Sequence, residues 1–421
     1  MRLHSSVLSF NLTRILPFLL LPLLSIAQDK GVQFDHQSSW SAIQARAKAE
    51  HKYIFMDCFT TWCGPCRFMS TTIFPQEEAG NYFNDKFISV KVQLDTTAKD
   101  DAHVRSWYAD AHNLMAQYDV RAFPTYLIFT PDGQVLHRVV GSVGDPEMLI
   151  HVISQAFDTS IAFYPQLAQY QAGRHDTAFL SKLAFQCVSV YDLRDGRGVF
   201  DTWLATQTHP YTDAGGLRLL DSYTSSPNDK TFSVFTDHAH EVDSIMGQGY
   251  AQNRIVNLLL SAYYEPAVKA AHGREPDWKA MEKTISEKYP AYAAEVTAKT
   301  KVEHYQSLND WPHFQTAIIA YMQQYGAHVT PQSLNDYACT VFQNCRDMTC
   351  VADALDWSKR SFDDKPIPGY MDTYANILYK MGKKDDAITW EQKAADLSAG
   401  DEKAGYQSTI EKMKKGEKTW N

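Results

Sequence analysis

The segment Trp62-Cys63-Gly64-Pro65-Cys66 constrains this chain more than any other. It follows a short apolar run, residues 53–59, that reads as a buried strand, and it opens a stretch that reads as a helix. Residues three apart share a helix face, so the two sulfurs can close a disulfide. Cys63 would stand at the helix N-terminus, where unpaired N–H groups and the helix dipole stabilise a thiolate. Cys66, one turn inside, would be more buried and would resolve a mixed disulfide. Pro65 falls in the first turn, where a helix tolerates a missing N–H. With no second C-x-x-C to complete a four-cysteine site, neither a metal nor a cofactor is expected.

Other residues fall where sulfur exchange needs them. Asp57 lies among Ile54, Phe55, Met56 and Phe59. A carboxyl buried there should have a raised pKa and can take the proton from Cys66 as that thiol attacks. Pro124, in Arg121-Ala-Phe-Pro-Thr125, precedes a hairpin. If cis, it would expose the Phe123 backbone for strand-like pairing with a substrate; if trans, it would start an edge strand. Cys58 alternates with Asp57 and should face the opposite side of the sheet as an inert buried thiol. Cys187, on an apolar helical stripe, reads the same way.

Periodicity divides the chain into a mixed α/β region, 28–158, and an all-α region, 160–421. In the first, residues 87–94, 125–129 and 135–140 read as further strands, the last two joined through Pro131-Asp132-Gly133. Val104, Trp107, Tyr108, Ala111, Met115 and Tyr118 predict one amphipathic helix over 99–118. In the second region strand signals vanish. Ala354, Trp357 and Ser361 correspond to Ala387, Trp390 and Ala394. Together with Ala375, Leu378 and Gly382, this spacing reads as a tetratricopeptide-like repeat at about 334–400, with an ordinary helical bundle as the alternative.

A chain of 421 residues predicts two to three domains. Lys and Arg number 40 against 49 Asp and Glu, and a net charge of −9 without a basic block argues against a nucleic-acid partner. Lys412, Lys414, Lys415 and Lys418 are interrupted by Glu411 and Glu417 and read as a solvated helix end. Asp237-His238-Ala239-His240-Glu241 lacks metal-ligand spacing and reads as a solvated helix. Residues 1–27 read as a secretory leader: Arg2 and Arg14, then an apolar run broken by Pro17 and Pro22, then Ser25-Ile26-Ala27. Cleavage near Ala27 would place the mature chain in the periplasm or outside the cell, where disulfides persist. In that compartment Cys345 and Cys350 are candidates for a structural loop disulfide, with Cys339 nearby.

With these residues in place, the first region resembles the thioredoxin superfamily over 34–158. The resemblance rests on the Asp57-to-Cys63 spacing, W-C-G-P-C, Lys91 on the next strand, Phe123-Pro124-Thr125, and Gly141 after the hairpin. The continuation Thr71-Thr-Ile-Phe-Pro75 is similar to the periplasmic reductase domain of the membrane thiol:disulfide interchange proteins. The resemblance implies an α/β thioredoxin fold, a central mixed sheet flanked by helices. It implies Cys63 as nucleophile, Cys66 as resolving cysteine, a Cys63–Cys66 redox disulfide, Pro124 as cis-proline, Asp57 as buried acid and Lys91 as its modulating neighbour. Trp62, Gly64 and Pro65 complete the motif. The helix at 99–118 departs from the family pattern and could cover part of the substrate groove. Phe123 departs too, being bulkier than the usual aliphatic residue. The whole architecture, an exported thioredoxin domain with a helical tail, looks like a bacterial envelope family.

Gly64-Pro65 puts no cation between the cysteines, and a less stabilised thiolate makes a more reducing couple. The expected function is an envelope thiol-disulfide oxidoreductase that reduces disulfides in exported proteins. Electrons would come from a membrane donor, and protein clients would dock on the helical region. The alternative is a protein-binding or chaperone-like scaffold with the C-x-x-C pair as a redox switch. A disulfide isomerase stays open if the helical surface makes a dimer.

Overall fold

A computed structural model describes residues 30–420, the side chain of Asp401 excepted. The leader read at 1–27 lies outside the described residues. The chain divides into two compact units. One runs to Arg174 and takes in Ser189–Arg194; the other comprises His175–Val188 and everything from Asp195 onward.

The first unit is built on a five-stranded mixed sheet. Its strands are β1 (Phe34–Asp35), β2 (Tyr53–Phe59), β3 (Phe87–Gln93), β4 (Thr125–Phe129) and β5 (Val135–Val140). Their order is β1-β3-β2-β4-β5. β3 pairs parallel with β1 and β2, whereas β4 runs antiparallel to both β2 and β5. β2 and β4 read as near-continuous apolar runs, interrupted in β2 by Asp57, because helices cover both faces of the sheet. Strand alternation sorts their side chains. Ile54, Met56 and Cys58 pack with Ile43 and Ala47 of α1 (Trp40–Glu50). Phe55, Tyr126 and Ile128 pack on the other face with Met69, Ile73, Phe74 and Phe83.

The helix expected over 99–118 forms as two pieces, α4 (Ala102–Ser106) and α5 (Tyr108–Gln117), after α2 (Gly64–Phe68) and α3 (Glu77–Lys86). The break falls at Trp107, a buried residue whose indole donates to the Ser38 carbonyl at 3.1 Å. Anchoring that ring redirects the backbone between the pieces. Ala111 and Leu114 of α5 pack with Ile43, Ala47 and Cys58, on the face of the sheet away from Phe55 and Met69. Helix α6 (Pro146–Ser154) packs on α3, and a further helix, Phe163–Gln171, packs on β5.

The first unit extends beyond the boundary expected at 158, and β5 shows why. Arg138, fully buried, donates to the carbonyls of Tyr118 and Asp119 and lies 3.9 Å from the Asp192 carboxylate. Its neighbour His137 accepts the Phe163 N–H at Nδ1 over 3.0 Å. Burial pushes the imidazole down to about 4. A histidine held neutral in this way contributes stability above its unfolded pKa of about 6.5 and loses it as the pH falls through the folded value. Unfolding should therefore cost about 2 kcal/mol less at about pH 5 than at neutral pH on this account alone. An NMR titration of the His137 ring checks it; a midpoint near the unfolded value would remove the effect.

The second unit is helical throughout its described residues. Successive helices pack on one another: Pro331–Asn344 on Met348–Arg360, Pro368–Lys380 on Lys384–Asp396, and the last on Gly400–Lys415. Of the residues that carried the repeat spacing, Ala354, Trp357, Ser361, Ala375, Leu378, Ala387 and Ala394 are buried, whereas Trp390 is half-buried and Gly382 is exposed. The stretch 237–241 is not one solvated helix. The chain breaks at His238 between Phe232–Asp237 and Ala239–Met246, and the His238 ring stacks on Tyr211 at 3.8 Å.

Candidate active site

α2 starts where the sequence requires, directly after Cys63. Cys63 is extended and serves as the N-cap, its sulfur accepting the Cys66 N–H at 3.0 Å. The approach loop is held in turn: the Cys63 N–H donates to the Thr60 carbonyl, and Thr61 is clamped to the Asp95 carboxylate by its N–H and its hydroxyl. Cys63 and Cys66 are joined as a disulfide, S–S 2.04 Å. Joined in the disulfide, Cys63 and Cys66 are both buried, at 4% and 3% exposure, so burial barely separates them. Backbone position is what distinguishes them, since only Cys63 caps the helix.

The surroundings of the pair are open. Trp62 is 69% exposed, and its ring meets that of Phe123 edge-on at 5.8 Å. Gly64 and Pro65 are exposed, and a Cβ placed on Gly64 would meet nothing within 4 Å. The Phe123–Pro124 peptide is cis.

The acid lies on β2. Alternation along β2 puts Asp57 on the face that carries Phe55, where Met69 and Ile73, just after the Cys66 helix, pack. Asp57 is 1% exposed, and its Oδ1 has no hydrogen-bond partner within the described residues. Its Oδ2 lies 3.3 Å from Lys91 Nζ, which the parallel register of β2 and β3 places directly alongside. Burial raises the Asp57 pKa, and the attraction of Lys91 offsets only part of the rise. Lys91 also donates to the Ser70 hydroxyl and sits within 5.4 Å of the Phe34, Phe59 and Phe74 ring centres. Aromatic faces of this kind hold a cation where water is scarce. On the antiparallel side, Tyr126 stands opposite Asp57, its phenol pushed up by burial.

Four features of this site were not legible from spacing: Ser70, the ring cage around Lys91, Tyr126 and the Asp95 clamp. Each depends on strand register or on the path after α2, where residues Met69–Ile73 form a π turn instead of continuing the α-helix. Cys58 lies on the opposite face, its thiol pushed up by burial. Cys187 is buried. Cys345 and Cys350 are not a disulfide; they stand as two buried thiols. Cys345 opens the short connection 345–347 between two helices, and Cys350 lies in the first turn of the second.

Residues 41–157 match the family model of the thioredoxin-like domain. The chain is 31% identical over 107 residues to Thioredoxin-1 of Caenorhabditis elegans, an alignment covering 25% of this chain and 76% of that protein. The chain belongs to the thioredoxin family. Its thioredoxin domain is also 32% identical over 108 residues to Thioredoxin-2 of Pyricularia oryzae, covering 26% of this chain and 51% of that protein. The chain spans about half the length of several such relatives. Among solved structures, one from Bacteroides thetaiotaomicron described as a candidate disulphide isomerase is similar. It has 31% identity and a TM-score of 0.26, covering 31% of this chain and 97% of that one.

Proposed function

We propose that this protein is a thiol-disulfide oxidoreductase that reduces disulfides in exported proteins. The observation that carries the reading is the Cys63–Cys66 disulfide at a helix N-terminus, in a domain whose preceding strand holds a buried carboxyl of raised pKa. In the reduced form the Cys63 thiolate attacks a client disulfide and expels one client sulfur. Cys66 then loses its proton and attacks Cys63, which releases the second client sulfur as a thiol and leaves the disulfide of this structure. Asp57 accepts the Cys66 proton. Trp62, Phe123 and the open space at Gly64 form the surface on which a client strand would lie. The leader read at 1–27 supports an envelope location, and a membrane-bound dithiol donor would return the protein to its reduced form. The tetratricopeptide-like hairpins of the second unit would hold clients, since stacked helix pairs build extended concave surfaces.

Changing Cys66 to Ala tests the reading, because Cys63 can then attack but cannot be released. Expressed with its leader, this variant should accumulate mixed disulfides with exported proteins, and the Cys63→Ser/Cys66→Ala chain should accumulate none. Adducts confined to cytosolic proteins would overturn the location. Equal adducts on both variants would overturn the role of Cys63.

A further inference from the structure

The second cysteine pair is built for chemistry that packing alone does not require. The helix Pro331–Asn344 closes on Cys345, whose N–H donates to the Val341 carbonyl at 2.9 Å. Asp347 then caps the helix Met348–Arg360 through the Thr349 N–H, which places Cys350 as its third residue. These two helix ends place both thiols in one buried cluster, Cys345 at 2% and Cys350 at 0% exposure. Lys380, the last residue of Pro368–Lys380, donates its ammonium to the carbonyls of Phe342 and Cys345, which pins a cation beside the first thiol. A cavity of about 820 Å³ opens at Cys345. Arg346, Lys380 and Lys418 line it against one acid, Asp347, with Trp420 as an apolar wall.

We propose that Cys345 and Cys350 form a second redox centre, which exchanges with a small anionic disulfide of the oxidised-glutathione class. Size favours a small disulfide over a protein one, since Cys345 is 2% exposed and is reached through a cavity of about 820 Å³ rather than from an open face. Charge favours an anion, since three cations face one carboxylate. The same geometry assigns the roles. Cys345 lines the cavity with the Lys380 ammonium on its own carbonyl, whereas Cys350 does not line it and is fully buried; the Cys345 thiol is held below its usual range by the pairing with Cys350 and by Lys380, and Cys350 is pushed up. Cys345 is the sulfur that attacks.

The exchange balances. The Cys345 thiolate attacks one sulfur of the disulfide, forms a mixed disulfide and expels the other half as a thiolate. That thiolate takes the Cys350 proton. The Cys350 sulfur then attacks Cys345, closing the intramolecular bond and releasing the second half as a thiolate, which takes up the proton first lost by Cys345. Two protein thiols are oxidised and one small disulfide is reduced to two thiols. The step is independent of Cys63 and Cys66 and does not rest on the function proposed for them.

The test uses the full chain carrying Cys63→Ser and Cys66→Ser, titrated with oxidised glutathione, alkylated and mapped by mass spectrometry without reduction. A Cys345–Cys350 cross-link is expected, and adding Cys350→Ser should trap glutathione on Cys345. Lys380→Met should slow that capture severalfold by removing the cation beside the thiolate. An uncharged small disulfide should react more slowly than glutathione; equal rates would overturn the anionic class. Glutathione on Cys350 or Cys339, or thiols that stay reduced throughout the titration, would overturn the centre. The titration needs no change in the second unit, so a misfolded Cys350 or Lys380 variant leaves it decisive.

Discussion

Replacing Cys63 with serine should remove reduction of a protein disulfide to background, a loss of about 10⁴-fold or more. A thiolate is the nucleophile in sulfur exchange, and a serine hydroxyl stays protonated at any pH at which the fold survives. The Cys63 sulfur accepts the Cys66 N–H at the helix start, so the position favours an anion only if the atom there can become one. Cys66→Ala should differ in kind: one stoichiometric attack, then no turnover. Cys58→Ala should leave turnover within a few-fold, since that thiol lies across the sheet among Ile54, Met56 and Val90. The measurement is single- and multiple-turnover reduction of a folded protein disulfide, a substrate that size disfavours at the buried Cys345. Substantial turnover by the Cys63→Ser chain would place the reactive sulfur elsewhere.

The sequence made the centre of this site legible because its residues are set by short-range spacing. A strand ending at Phe59, a helix beginning at Gly64 and a proline before β4 fix where Cys63, Asp57 and Pro124 can be. Strand alternation alone separated Asp57 from Cys58. What spacing could not supply is register. Tyr126 meets Asp57 only because β4 runs antiparallel beside β2 with that offset. Ser70 meets Lys91 only because the chain takes a π turn after Phe68. The limit of the first unit was hidden for the same reason. Arg138 reads as one polar residue in a hairpin strand, and only the fold shows it buried near Asp192, more than fifty residues on. A boundary drawn at 158 would also take Phe163 away from His137. The short Cys345–Cys350 spacing was visible, but the two helix ends that bury both thiols in one cluster were not.

Asp57→Asn should slow resolution by Cys66 by about 10²–10⁴-fold, the usual cost of losing a positioned base, while Cys63 attacks its substrate at nearly the original rate. Burial raises the carboxyl and Lys91 holds back part of that rise, which brings the group closer to the pH at which it must take a proton. The amide keeps the shape and cannot take the proton. The gap between variant and parent should then close as the pH rises into the thiol range, where Cys66 ionises unaided. Stability should move the other way. A carboxyl whose folded pKa is raised stabilises the fold fully below its unfolded value, and that contribution is lost as the pH rises through the folded value. At neutral pH the parent therefore bears a cost of burial that the asparagine variant lacks. The variant should unfold at higher denaturant and show a flatter stability profile between the two pKa values. Stopped-flow reduction of a model disulfide across pH, set beside denaturant unfolding at the same pH values, reads both effects. An asparagine variant with unchanged resolution at neutral pH would leave Asp57 a packing residue. One with slowed resolution but an unchanged stability profile would mean that Asp57 is ionised in the fold and acts through Lys91 alone.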